Sequence, residues 1–207
     1  MNEEKGDLIK GKLAKFYDLA TINFKGLKTV HKKALSLINP KENSALLDVG
    51  CGTGTILKAL REKFGSNISL FGIDPSLDML EIAKTKTNNL EITFKQAYGD
   101  ELPFVDNQFD WVISILAMHH ISNEQKEKVI SEIKRVLKPN GIVLISDLGR
   151  PKNFAGKILA WFSRNHSFTR GNTETIEKIM MDSGFKIIEK KWSWFFIEHI
   201  VFKKVTS

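Results

Sequence analysis

The chain has 207 residues, 42% of them hydrophobic and 27% charged, enough apolar material for one buried core and too much for a disordered polymer. Its formal charge of +7 would favour anionic partners, but the lysines are spread along the whole length, as on a solvated surface. The single cysteine, Cys51, excludes an intrachain disulfide, a cysteine-rich zinc site and a paired redox motif. The opening segment mixes charges of both signs, and no apolar run nears 18 residues, so the expectation is a cytoplasmic protein, neither secreted nor membrane-spanning.

Residues 8–38 carry helical periodicity, with Leu13, Phe16, Tyr17 and Ala20 on one face and Val30, Ala34, Leu35 and Ile38 further on, closed by Pro40. A short buried strand follows at 45–49, then an amphipathic helix at 55–64 stopped by Gly65. Residues 68–74 read as a second strand and 76–86 as a second helix, with Ser76 as its cap. A strand at 90–96, a turn-rich link and a strand at 109–118 precede a helix at 122–138. Ser122 and Gln125 there are spaced as a capping box, and Pro139, Asn140 and Gly141 end the helix. A fifth strand spans 141–148. This alternation predicts an α/β fold, a parallel sheet covered on both faces. The tail breaks the pattern: short helices around 153–163 and 173–183 lead to two strands too close together for a crossover helix, so those two pair antiparallel.

The stretch LLDVGCGTG, residues 46–54, is the first strand-to-helix turn, the place where a backbone comes closest to a ligand in a doubly wound sheet. Gly50, Gly52 and Gly54 permit close approach and positive φ, and the free N–H groups of the next helix attract a carboxylate or phosphate. Asp74 closes the second strand 20 residues after Gly54, the separation at which an acid binds ribose hydroxyls. The glycine spacing is G-x-G-x-G rather than the dinucleotide G-x-G-x-x-G, and Asp48 puts a negative charge where a pyrophosphate would be repelled. Together these suit a nucleoside-bearing ligand with an amino group and a sulfonium cation, and disfavour a nicotinamide cofactor.

At these residues the sequence resembles the class I S-adenosylmethionine-dependent methyltransferases, across nearly the whole chain. LLDVGCGTG looks like their first motif, GIDPSLDML like the second, LPFVDNQFDWVISILAMHHI like the stretch through the fourth, and RVLKPNGIVLISDL like the helix and strand beyond. LPF-x-DN-x-FD and HHI are most similar to small-molecule and quinone-biosynthesis C- and O-methyltransferases. The resemblance implies a doubly wound, seven-stranded, mostly parallel sheet with the last strand antiparallel and helices on both faces. It also implies one domain: an N-terminal helical cap at 1–40, a cofactor-binding core at 41–150, and lid helices with the final two strands at 151–207.

The cofactor so implied is S-adenosylmethionine. Gly50, Gly52 and Gly54 would lie along its methionine part with Cys51 as a small filler, Asp48 would polarise its amino group, and Asp74 would bind its ribose. Pro75 and Met79 would flank the adenine. The family usually has an acid four residues before the Leu of LPF, where this chain has Tyr98 after Ala97. Either Tyr98 takes that place or a local gap moves Asp100 into it. Backbone near Leu116 and Ala117 would border the sulfonium.

His119 and His120 follow the fourth strand, where a base could act, His119 being the candidate; the same pair could equally shape the loop by hydrogen bonding. Asp147 could face the site or cap the following turn. His166 and His199 are unplaced, and none of the histidines has metal-ligand spacing with partners, so no metal is expected. A nucleic-acid substrate is disfavoured: the position after the fourth strand reads SILAM rather than an N/D-P-P-Y/F motif, and Cys51 cannot serve as a cytosine nucleophile. The partner expected is a small, apolar or aromatic methyl acceptor. Residues 153–170, with Phe154, Ile158, Trp161 and Phe162 on one helix face and Lys157, Arg164 and Arg170 nearby, offer a lid, a peripheral membrane contact or plain core packing. A non-catalytic cofactor-binding module remains the alternative from another class. Oligomeric state is not readable from the sequence.

Overall fold

The computed structural model describes residues 25–150, 172–193 and 196–205. In chain order its elements are α1 (Lys25–Leu37), β1 (Ala45–Val49), α2 (Thr55–Phe64), β2 (Ser69–Asp74), α3 (Leu77–Lys86), β3 (Ile92–Gln96), β4 (Phe109–Ile115), α4 (Asn123–Val136), β5 (Leu137–Leu148), α5 (Asn172–Asp182), β6 (Phe185–Ser193) and β7 (Ile197–Lys204). The expected helices over 8–24 and 153–163, the segment 153–170 and the FYD stretch at 16–18 lie outside the described residues.

The seven strands form one sheet in the order β3-β2-β1-β4-β5-β7-β6. β3, β2, β1, β4 and β5 run parallel. β7 is antiparallel to both of its neighbours, as the tight connection after Ser193 requires. The order reverses between β1 and β4, so the connections leaving these strands diverge and open a crevice beyond their carboxyl ends.

Strand alternation divides the core in two. Leu47, Val112, Val143, Ile145 and Phe202 project to one face and pack with Val129, Ile130 and Ile133 of α4 and Ile176 and Met180 of α5. Leu46, Leu70, Ile113, Leu144 and Val201 project to the other, against Ala34 of α1, Leu57 and Leu60 of α2 and Leu80 of α3. Local signals set the helix ends. Ser76 Oγ accepts from Met79 N, and Ser122 with Gln125 completes the expected capping box.

Two boundaries depart from the sequence reading. β4 stops at Ile115 rather than at Met118, because Leu116 turns to φ +56° and a 3-10 turn, Met118–His120, follows. β5 starts at Leu137, four residues before Gly141, because Leu137 is drawn fully into the core and pairs with Phe109. The polar Pro-Asn-Gly run thus lies inside a strand rather than ending a helix, with Asn140 at φ +61°.

Candidate active site

Beyond β1 the chain folds back on itself. The N–H groups of Gly50 and Cys51 both donate to Ile73 O at 2.9 Å, tying the turn to β2. The three glycines divide the work. Gly50, at φ +79°, lies so close to the end of β4 that an added Cβ would stand 2.5 Å from Ala117 Cβ. Gly52, at φ +51°, has open space where its Cβ would be. Gly54 is the left-handed N-cap of α2, packed where a Cβ would meet Ala83 Cβ at 3.0 Å and the Phe94 ring at 3.3 Å.

Among the described residues, the crevice at the switch point holds a cavity whose floor is this turn. Of the residues expected at the site, Asp48, Gly50, Cys51 and Gly52 line it from β1. Asp74, Pro75 and Met79 line it from β2 and α3, Ala97 and Tyr98 from beyond β3, and Leu116 from β4. Asp100, the alternative to Tyr98, also lines it. Gly54 and His119 do not belong to the lining. Gly54 serves helix packing instead, and the 3-10 turn after β4 directs the two histidines differently.

The floor is acidic. Asp74 accepts from Gly52 N through Oδ2 and from Ser76 N through Oδ1, each at 2.9 Å. Burial raises its carboxyl above the ordinary value, and the two backbone bonds oppose that rise. Asp48 is 2% exposed, and its Oδ1 is buried with no hydrogen-bond partner. Burial, with the negative charge of Asp74 second, pushes its carboxyl up to about 8. A buried acid with an unused oxygen is costly unless a donor or cation arrives from the cavity. Burial also pushes the Cys51 thiol up, which removes it as a nucleophile.

At the end of β4, Ser114 Oγ donates to Val49 O at 3.0 Å and Leu116 N to Ser146 O at 2.8 Å, which fixes the two loops against each other. His119 turns inward. Its Nδ1 lies 2.8 Å from Asp147 Oδ1, and its backbone N–H donates to Asp147 Oδ2 at 3.2 Å. Asp147 is fully buried and also accepts from Leu148 N at 2.7 Å, so it organises the loop as well as the ring. The His120 ring lies 4.0 Å from that of His119 between centroids, tilted by 41°, and lines the cavity. Ile115, Leu116, Ala117, Met118, Ile121 and Val129 make this half of the cavity apolar, with Gln125 at its edge.

Sequence reasoning missed four residues. His31 lines the cavity from α1; it stands one residue beyond the buried Val30, where helical periodicity carries no functional signal. Thr53 and Thr55, also in the lining, receive hydrogen bonds from Lys86 Nζ at 2.9 and 3.0 Å, a contact between residues more than 30 positions apart. Arg135 grips the LPFVDN loop. It donates to Leu102 O at 3.0 Å, to Phe104 O and Asp106 Oδ1 at 2.8 Å, and to both oxygens of Glu132 at 2.7 Å. The remaining histidine of the described residues, His199, is buried between Ser146 and Ser193, away from the cavity lining.

Fold and site together define a class: a doubly wound sheet with an acidic, glycine-floored cavity at its switch point. Residues 46–141 match the family described as methyltransferase domain. A demethylmenaquinone methyltransferase of Staphylococcus aureus is 34% identical over 154 residues, which cover 72% of this chain and 63% of that protein. The chain therefore spans less than two thirds of that relative's length. An uncharacterized methyltransferase of Synechocystis is 29% identical, with 83% of this chain and 81% of the relative covered. A solved S-adenosylmethionine-dependent methyltransferase from Aquifex aeolicus shares the fold, with a TM-score of 0.70 at 21% identity over 95% of this chain and 100% of that one. Residues 46–141 thus match a methyltransferase domain, and the described chain around them has the fold of the class I S-adenosylmethionine-dependent methyltransferases.

Proposed function

We propose that the protein transfers a methyl group from S-adenosylmethionine to a small apolar or aromatic acceptor of the quinone-precursor type. The observation that carries the cofactor half of this reading is the unpartnered, buried Oδ1 of Asp48 beside a glycine turn with open space at Gly52. These residues fit an amino acid joined to a nucleoside: Asp48 takes the ammonium, Asp74 accepts from ribose hydroxyls, and Pro75 and Met79 flank the base. Tyr98 and Asp100 both line the cavity, and either is available to meet the base. When bound, the cofactor supplies a methyl group already activated on a sulfonium, with a neutral thioether to leave.

The protein's own task is then positioning and exclusion of water, which can supply about 7–11 kcal/mol of a bimolecular barrier. Leu116 and Ala117 hold the backbone beside the reacting centre, and the apolar wall of Met118, Ile121 and Val129 keeps that half dry. A quinol or phenol acceptor loses a proton as its carbon or oxygen is alkylated. His120 is the base at the cavity, and His119, held by Asp147, backs its ring. The apolar wall and the name of the Staphylococcus aureus relative support the quinone-type acceptor.

The test is radiolabelled methyl transfer from S-adenosylmethionine to a short-chain demethylmenaquinol, with catechol and a short RNA as other acceptor classes. Transfer to the quinol alone supports the reading. Transfer only to RNA, or binding of S-adenosylhomocysteine with no transfer to any acceptor, counts against it.

A further inference from the structure

The stretch after β4 brings two polar side chains to the apolar half of the cavity, the His120 imidazole and the Gln125 amide. The start of α4 settles how that amide is turned. Ser122 N–H donates to Gln125 Oε1 at 2.9 Å, and Gln125 N–H donates to Ser122 Oγ at 3.2 Å, the two halves of the capping box. The opposite amide orientation would set an N–H against an NH2, donor against donor, so the oxygen must face Ser122. With Oε1 engaged at the helix end, the NH2 group is what Gln125 retains for a molecule in the cavity. Among the described residues that NH2 has no hydrogen-bond partner. The stretch is also tied down on both sides of the cap. His119 Nδ1 lies 2.8 Å from Asp147 Oδ1, and the buried Lys126 ammonium reaches back to Ile121 O at 3.0 Å and Asn123 Oδ1 at 3.1 Å. His120 and Gln125 are thereby carried on one braced segment. A wholly apolar ligand beside them would leave the amide donor unmet, whereas a ring with two oxygens can satisfy both groups.

We propose that Gln125 determines acceptor specificity: its amide NH2 donates to one oxygen of an aromatic acceptor whose other hydroxyl gives its proton to His120, so the site selects a ring with two oxygens over a monophenol. The proposal rests on the methyltransferase reading above and narrows its acceptor class. In a hydroquinone methylated at carbon, ionisation of the hydroxyl next to the reacting carbon is what makes that carbon nucleophilic, so this hydroxyl belongs at His120. The far oxygen is not alkylated and falls to Gln125. The new bond joins the ring carbon to the methyl group while the methyl–sulfur electron pair stays with the thioether. The carbon's own proton then leaves to water, and the oxygen takes its proton back from His120.

Two acceptors test the assignment: a short-prenyl demethylmenaquinol, and the prenylated naphthol that keeps the hydroxyl beside the carbon to be methylated and lacks the other oxygen. Each is bound without oxygen to protein saturated with S-adenosylhomocysteine, by equilibrium dialysis, and separately turned over with radiolabelled S-adenosylmethionine. Wild type should bind the quinol about tenfold more tightly than the naphthol, with a preference in kcat/KM at least as large. Gln125→Glu keeps an oxygen for Ser122 N–H but has no amide donor, so it should melt like wild type and lose the preference. Gln125→Met loses the box as well; it should be less stable and lose the same preference, with naphthol binding within about twofold of wild type. A purely structural role would leave both acceptors unchanged in Gln125→Glu and weaken both equally in Gln125→Met, and that pattern overturns the proposal. A wild type that binds the two acceptors equally also overturns it. Preferential quinol binding that both variants lose, without methyl transfer to either acceptor, upholds the role of Gln125 and overturns the transfer reading alone. Binding of neither acceptor overturns the acceptor class and the role of Gln125 together.

Discussion

Gly50 and Ala117 meet where the first and fourth strands end, so closely that a Cβ on Gly50 would stand 2.5 Å from the Cβ of Ala117. That contact, with the Ser114 bond to Val49 O, joins the cofactor floor to the loop that carries the histidines. A side chain at Gly50 must push the two loops apart, while one at Gly52 meets no protein atom and enters the cavity. Gly50→Ala should therefore cost about 2–4 kcal/mol of stability, from the positive φ and the overpacking together. Gly52→Ala should cost only about 1 kcal/mol, for its φ of +51°. The order reverses for binding relative to stability. Urea unfolding and S-adenosylhomocysteine titration of both variants would show Gly52→Ala losing affinity while staying folded.

Asp74 already spends one lone pair of each oxygen on the backbone, at Gly52 N and Ser76 N. Asp74→Asn replaces one of these acceptors by an amide that faces an N–H, so it should lose about 1–3 kcal/mol of stability. Asp74→Ala should lower the affinity for S-adenosylhomocysteine by about 100-fold, since both ribose hydroxyls lose their acceptor. Unchanged affinity in that variant would move the ribose elsewhere.

Two buried groups set opposite pH dependences. Asp48 titrates at about 8 in the fold against 3.8 in the unfolded chain, so its contribution is complete below the lower value and is lost as pH rises toward 8. Asp48→Asn should thus be more stable than wild type at pH 8, on the order of a few kcal/mol, and close to it at pH 4. His199, hydrogen-bonded to Ser146 at 2.8 Å and to Ser193 at 2.6 Å, is lowered from 6.5 to about 4, chiefly by burial and next by Lys33. Its contribution is complete above 6.5 and is lost as pH falls toward 4. His199→Asn should flatten the acid limb of the stability curve by at most about 3 kcal/mol. Denaturant melts at pH 4, 6 and 8 read both slopes.

Arg135 binds the LPFVDN loop through two backbone carbonyls, Asp106 and Glu132, and Glu132 in turn accepts from Leu102 N at 2.8 Å. The loop carries Phe104 into an edge-on cluster with Phe71 and Phe109, at 5.9 and 4.9 Å between centroids. Arg135→Met should cost about 2 kcal/mol, and a cycle with Glu132→Gln should show coupling of about 1–2 kcal/mol. Thermal and urea unfolding of the four proteins suffices.

His120→Ala should lower the rate of methyl transfer to a quinol by about 100-fold or more, with S-adenosylhomocysteine affinity within twofold of wild type. Asp147→Asn should act through His119 and Leu148, lowering stability as well as rate. A His120→Ala variant with full turnover would leave the cavity without its proposed base.

Much of the core was legible in the sequence because its causes are local. The alternation of β1 through β5, the Ser76 and Ser122 caps and the Gly65 stop each depend on residues a few positions apart, and Asp74 follows the glycine turn at a distance set by one helix and one strand. Contacts between distant segments had no such signature. That Gly54 serves packing while Gly52 faces the cavity depends on Ala83 and Phe94. That His120 and not His119 lines the cavity depends on a buried carboxylate 28 residues further on. The place of Lys86 beside Thr53, of Arg135 on the LPF loop and of His31 at the rim was decided by how the helices pack on the sheet. The sequence determined where a backbone could approach a ligand, because positive φ is a property of single residues. Only the tertiary structure decided which side chains share the dry, low-dielectric space where an acid stays protonated and a histidine stays neutral.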